Sequence, residues 1–222
     1  FNVNELQGVS TKIDAPFFHN MNFISIVDYA GTFAFAISGI RLASAKKFDW
    51  FGAYVVGLVT AIGGGTTRDL LLDVTPFWMT QPSYLIITGI ALICVILFGK
   101  QLIKLNNTFF IFDAIGLGLF VVVGIEKSID AGFPFWVTII MGMITGSVGG
   151  IFRDILINEV PLIFRKDIYA LACVLGGIVF YFCTIFGVKS EITQVISAAS
   201  VILMRVIAVK YHLSLPVLKG GD

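Results

Sequence analysis

The chain has 222 residues, 57% of them hydrophobic and 13% charged, with 15 Lys and Arg against 14 Asp and Glu for a formal charge of +1. Soluble domains run near about 45–50% apolar and about 25% charged, so an ordinary water-soluble fold is excluded, and without a basic field nucleic acid is excluded as a partner. The 21 Phe must be hidden from water, which excludes low-complexity disorder and makes lipid the natural host.

Residues 1–22, with Lys12, Asp14 and Pro16, read as a polar N-terminal tail that lacks an apolar core of signal-peptide length. Seven apolar stretches follow, set against the roughly 19 residues that cross a hydrocarbon core of about 30 Å. The first, Phe23 to Ala43, carries Asp28 near its start and sets Gly31, Phe35 and Gly39 on one face by their spacing of four. The second, Phe51 to Leu72, contains Gly63-Gly64-Gly65-Thr66-Thr67-Arg68-Asp69. The third and fourth, Tyr84 to Phe98 and Phe109 to Gly124, are shorter by about a turn, and the fourth holds Asp113, Gly116, Phe120 and Gly124. The fifth, Phe135 to Ile157, contains Ser147 and then Val148-Gly149-Gly150-Ile151-Phe152-Arg153-Asp154; Ile168 to Val188 and Ile192 to Val209 complete the set. Residues 211–222 read as a C-terminal tail. Cys94, Cys173 and Cys183 lie inside apolar runs, and His19 and His212 stand near opposite ends, so neither a disulfide framework nor a metal or cofactor site is expected.

With the N-terminus outside, eleven Lys and Arg fall in cytoplasmic segments and four on the opposite side. The positive-inside rule therefore predicts an integral membrane protein with its N-terminus outside and its C-terminus in the cytoplasm. The basic pairs Lys46-Lys47 and Arg165-Lys166 serve as this topology signal and also suit anionic lipid headgroups.

Sliding the chain on itself by 85 residues superimposes Asp28 on Asp113, Gly31 on Gly116, Phe35 on Phe120, Gly39 on Gly124, Thr60 on Thr145, Gly64-Gly65 on Gly149-Gly150, Arg68-Asp69 on Arg153-Asp154 and Tyr84 on Tyr169. Each copy holds three spans, an odd number, so the second must enter the membrane upside down. The predicted architecture is all-α: a first three-helix repeat over 23–107, an inverted second over 108–190, and a seventh transmembrane helix over 191–210. Such repeats place ion or substrate sites near the midplane beside interrupted helices. The glycines at 63–65 and 149–150 permit a kink that frees backbone carbonyls. Their spacing, with Gly57, Gly142 and Gly146, equally suits close helix packing.

Ionisable residues at membrane depth face the bundle interior and find partners. Asp28 and Arg68 sit at similar depth, roughly 6–8 Å from the ends of their spans, and are expected to pair; Asp113 and Arg153 mirror them. With Asp69 and Asp154, two carboxylates stand against one guanidinium in each set, which favours cations. Ser38, Thr60, Thr66, Thr67, Thr145 and Ser147 offer oxygens that replace part of an ion's hydration shell. Phe35 and Phe120 are candidates for a hydrophobic gate, and equally for rings packed into glycine notches.

Asp28-x-x-Gly31, the Gly63–Asp69 string, its second copy at 148–154 and the terminal seventh helix resemble the trimeric intracellular cation (TRIC) channel family in its prokaryotic branch. The resemblance spans nearly all of residues 23–210. It implies a homotrimer in the cell inner membrane, each subunit carrying its own potassium-permeable pore beside bent second and fifth helices. Carried over by motif are Gly63, Gly64, Gly65, Arg68, Asp69, Gly149, Gly150, Arg153 and Asp154. Animal members bear a lysine-containing motif near the first glycine run that is linked to phosphoinositide; Thr66-Thr67-Arg68-Asp69 stand there instead, so that regulation does not carry over. Val148 replaces the first glycine of the run in the second copy, where a smaller bend is expected. The function expected is conduction of K⁺, with Na⁺ admitted. The alternative is a secondary carrier for a small zwitterion such as an amino acid, because paired Arg and Asp also suit a carboxylate and an amine. Catalysis is not expected: no nucleophile–base or metal–glutamate constellation and no phosphate loop is visible.

Overall fold

The computed structural model describes residues 22–104, 108–165 and 168–213, with only the backbone at 100–104. Both tails therefore lie largely outside the described residues, as do Lys12, Lys166, Lys219 and the side chains of Lys100 and Lys104. Among the described residues there are eight α-helices and no strand: α1 Phe23–Ala45, α2 Trp50–Leu71, α3 Phe77–Thr80, α4 Ser83–Lys104, α5 Thr108–Asp130, α6 Phe135–Leu156, α7 Ala170–Ile185 and α8 Ser190–Lys210. A 3-10 turn, Leu162–Phe164, follows α6.

The helices outrun most of the apolar stretches, because a helix continues through its polar ends once its backbone hydrogen bonds are in place. Hydropathy misses α3 and the 3-10 turn, each too short for a periodic signal. Both follow a proline, Pro76 and Pro161, whose fixed φ suits a helix start. By length and composition four helices among the described residues are long and apolar enough to cross a membrane: α1, α5, α6 and α8. α2 dilutes its apolar run with Gly63–Thr67, and the apolar stretches Ser83–Gly99 of α4 and Ala170–Ile185 of α7 are shorter.

Asp49 caps α2 by accepting the Gly52 N–H at 2.7 Å. The ends of α1 and α5 turn through left-handed residues 85 positions apart, Lys47 at φ 62° and Gly132 at φ 80°; α2 and α6 do likewise through Asp73 and Asn158. Gly132 has open space around it, so only its backbone resists a side chain. Gly132→Ala is therefore expected to cost about 1 kcal/mol, read as a lowered unfolding midpoint in detergent.

The centre is built from α1, α2, α5 and α6, each of α1–α5, α5–α6, α1–α2 and α2–α6 in extensive contact. Helix α4 lies along α1 and α2, α7 along α5 and α6, and α8 against α5 and α7. The outside is apolar: Ile93, Leu97 and Phe98 on α4, Ile178, Phe182 and Ile185 on α7, and Val195 and Leu203 on α8 are exposed. The interior instead holds Arg68, Arg153 and Arg205 fully buried. Apolar outside with charges inside reverses the arrangement of a soluble protein and is that of an integral membrane protein.

At the loops, Lys46 and Arg165 both pair with Glu159, at 2.5 and 3.3 Å. The Lys46 ammonium hydrogen-bonded to it holds the Glu159 carboxyl below the usual glutamate range. A lipid headgroup has to compete with that carboxylate for two of the four loop cations.

Candidate functional site

The glycine runs of α2 and α6 meet. A Cβ on Gly64 would collide with the Thr145 carbonyl, and one on Gly149 with the Thr60 carbonyl, so the two backbones touch. Residue 64 faces 145 while 60 faces 149, which means that α2 and α6 run antiparallel through the contact. Both helices are continuous across it. Helix runs unbroken through both glycine runs, and the missing side chains are used for approach. Gly63 takes the Phe152 ring, Gly65 the Phe77 ring and Gly150 the Tyr169 hydroxyl. All five glycines thus stand at close packing contacts.

Four residues beyond each contact, about one helical turn, stands a buried arginine. On α2, Arg68 donates Nε and Nη2 to Asp69 Oδ1 at 2.8 and 2.7 Å, and Asp69 Oδ2 accepts the Phe77 N–H at 2.9 Å. On α6, Arg153 Nε reaches Asp154 Oδ1 at 2.8 Å, and Asp154 Oδ2 accepts the Leu162 N–H at 2.9 Å. Each aspartate therefore neutralises its neighbour and pins the segment after its helix. Because the helices are antiparallel, the two sites lie on opposite sides of the crossing.

Their remaining partners differ. Arg153 Nη1 bonds Asp113 and, at 3.0 Å, Ser38 Oγ, so the expected Asp113–Arg153 pair forms. The expected Asp28–Arg68 pair is absent from the described ion pairs; Asp28 Oδ2 accepts the Tyr84 hydroxyl at 2.8 Å instead. Tyr84 enters from α4 and takes the acceptor, while Asp69 occupies two donors of Arg68. Beside this first site Lys127 lies 5.4 Å from the Phe77 ring centroid, and with Asp69, Thr75 and Asp130 it lines an open cleft of about 210 Å³.

The hydroxyls share one habit. Thr60, Thr66, Thr67, Thr145 and Ser147 each donate to the carbonyl four residues earlier, at 2.6–2.9 Å. With the single proton committed, what each oxygen still offers is an acceptor lone pair, which suits a cation and not an anion. Thr66 has already given part of that capacity to the Trp78 indole N–H, at 3.0 Å.

Phe35 and Phe120 are buried and meet edge to face with centroids 5.1 Å apart. Phe35 fills the notch of Gly116 and Phe120 that of Gly31, which is the packing alternative for this pattern. Tyr84 and Tyr169 appear in sequence only as a matched pair, and Arg205 only as a loop-side charge; their places beside Asp28 and Arg153 depend on which helices become neighbours.

A family model described as Glycine transporter matches residues 25–100 and 110–184. The UPF0126 inner membrane protein YadS of Escherichia coli is 40% identical over 195 residues, 86% of this chain and 93% of that protein. Among solved structures, the TRIC trimeric intracellular cation channel orthologue from Rhodobacter sphaeroides aligns with a TM-score of 0.81 at 34% identity, over 86% of this chain and 98% of its own. A second structure, described as bearing on conductance through TRIC cation channels, aligns at 0.78 and 33%, over 89% and 98%.

Proposed function

We propose, for a chain that belongs to the prokaryotic TRIC channel family, a passive channel for monovalent cations that conducts K⁺ and admits Na⁺. As in its structural relatives, the work is conduction and not catalysis. The observation that carries the reading is the mirrored pair of buried Arg–Asp sites flanking one glycine crossing, with acceptor-only hydroxyls between them. In this reading Thr60, Thr66, Thr67, Thr145 and Ser147 border the path, with Asp28, Arg68 and Asp69 at one mouth and Asp113, Arg153 and Asp154 at the other. The Gly64–Gly149 contact is the closed constriction, and conduction requires α2 and α6 to separate there. Seven spans in an inverted three-plus-three arrangement plus one, a pore in each subunit of a homotrimer, an inner-membrane location and an N-out, C-in orientation complete the proposal. The 85-residue correspondence of contacts, the two matched segments of the family model and the Rhodobacter sphaeroides relative support it.

Planar-bilayer recording in asymmetric KCl tests it. Discrete unitary currents reversing near the K⁺ potential are expected, and Arg68→Ala or Asp69→Asn alters conductance or open probability while the trimer persists. Wild-type currents from both variants would remove these residues from the path.

A carrier for a small zwitterion is the second reading. Arg153 Nη2 and Asp113 Oδ2 are buried without hydrogen-bond partners, a donor and an acceptor of opposite charge. Saturable glycine uptake into vesicles with no unitary current would favour it over the channel.

A further inference from the structure

The two arginine sites carry matching residues, tyrosines included, yet the tyrosines bond differently. Tyr84 donates to Asp28, whereas the corresponding Tyr169 hydroxyl and Asp113 Oδ2 are both buried and both without a hydrogen-bond partner. A buried hydroxyl near a buried carboxylate normally bonds to it, because leaving both unsatisfied is costly. Something holds them apart.

Two neighbours set the tyrosines apart. Phe77 buttresses Tyr84 edge-on with centroids 4.3 Å apart, and leucine stands at the matching position, 162. Arg205 of α8, the helix that follows both copies, sets its guanidinium carbon 4.6 Å from the Tyr169 ring centroid and 5.2 Å from that of Phe110. It also donates Nη1 to the Ile168 carbonyl at 3.2 Å, directly ahead of Tyr169. The Tyr169 hydroxyl ends over Gly150, 2.9 Å from where a Cβ would stand.

We propose that Arg205 is a positioning residue: by stacking on Tyr169 and tethering the preceding carbonyl, it keeps the Tyr169 hydroxyl off Asp113 and reserves Asp113 for Arg153. The planar guanidinium suits this task, since it stacks on an aromatic face and donates in its own plane at the same time. With Arg205 gone, Tyr169 moves to Asp113 Oδ2, as Tyr84 has at Asp28, and weakens the hold of Arg153. The last helix then sets the state of one mouth only. The effect on conduction rests on the channel reading; the tyrosine's placement does not.

The test is a cycle of Arg205→Gln, Tyr169→Phe and the double variant, with Arg205→Lys, which keeps the charge without the planar stack, standing in if Arg205→Gln fails to assemble. In an otherwise wild-type chain Tyr169→Phe removes a hydroxyl that bonds nothing, so the unfolding midpoint holds or rises. In the Arg205→Gln chain the same change removes a hydroxyl bonded to Asp113, and the midpoint falls. In single-channel records Arg205→Gln shifts open probability, and the shift disappears on the Tyr169→Phe background. Equal effects of Tyr169→Phe on the midpoint in both backgrounds overturn the proposal, as does a fall in the wild-type background, which would mean that the hydroxyl is already engaged. Stability coupling in a protein that carries no current would overturn the channel reading and leave this placement standing; currents without that coupling would do the reverse.

Discussion

Gly64→Ala lowers the stability of the protein by about 1–3 kcal/mol, the range for forcing a methyl into a packed interior. The obstacle is the Thr145 carbonyl, a backbone atom in the middle of α6, so no rotamer change relieves it. Either α2 shifts or the whole of α6 does, and every contact along the crossing is strained. Gly149→Ala meets the Thr60 carbonyl in the same way and should cost a similar amount. The control is Gly89→Ala in α4, where the new methyl has nothing within 4 Å. There alanine's better helix propensity predicts no loss and a gain of up to about 1 kcal/mol. Thermal unfolding in detergent reads all three, and matching midpoints for Gly64→Ala and Gly89→Ala would mean that the helices do not touch at residue 64. Where Gly64→Ala still assembles, the wedge favours separated helices, so a raised basal cation leak accompanies the lost stability.

Arg153→Ala is expected to be the most damaging single change at the charged sites, about 3–5 kcal/mol, because it leaves buried carboxylates without their counter-ion. Arg153 is in contact with both Asp113 and Asp154, and it also takes Ser38. Arg153→Lys recovers only part of the loss, since one ammonium does not span the fork that the guanidinium makes between two helices. Arg68→Ala costs less: among the described residues its ion pair is with Asp69 alone, and Asp28 keeps the Tyr84 hydroxyl. Midpoints measured side by side decide the matter, and an Arg153→Ala loss no greater than that of Arg68→Ala would contradict the inequality of the two sites.

Much of the fold is legible because its special residues recur at one offset. A glycine, a proline or a buried arginine is tolerated in few places, so the 85-residue matches from Asp28/Asp113 to Tyr84/Tyr169 single out the residues that form the buried arginine sites and the glycine contact. What spacing does not reveal is choice among partners. Asp28 and Arg68 have matching depths, yet Tyr84 reaches Asp28 from α4, and depth along a helix says nothing about competition from a third element. The glycines present the same difficulty: Gly64 suits a bend or a notch equally well until α6 is placed against it. Arg205 reads as one more positive charge near a helix end, and only the packing of α8 on α5 and α7 turns it inward. The turns after Pro76 and Pro161 escape because one helical turn carries no period, although the prolines mark where they begin.

The backbone contact between Gly64 and Gly149 has a mechanical consequence. As long as that contact stays closed, two stiff rods that touch at one point turn about it like scissors, so atoms beside the fulcrum barely move while those at the tips sweep furthest. Arg68 and Arg153 ride such arms, roughly 6 Å out on opposite sides. A torque applied at either end is therefore felt at the other, and a covalent staple across one pair of arms should stiffen both.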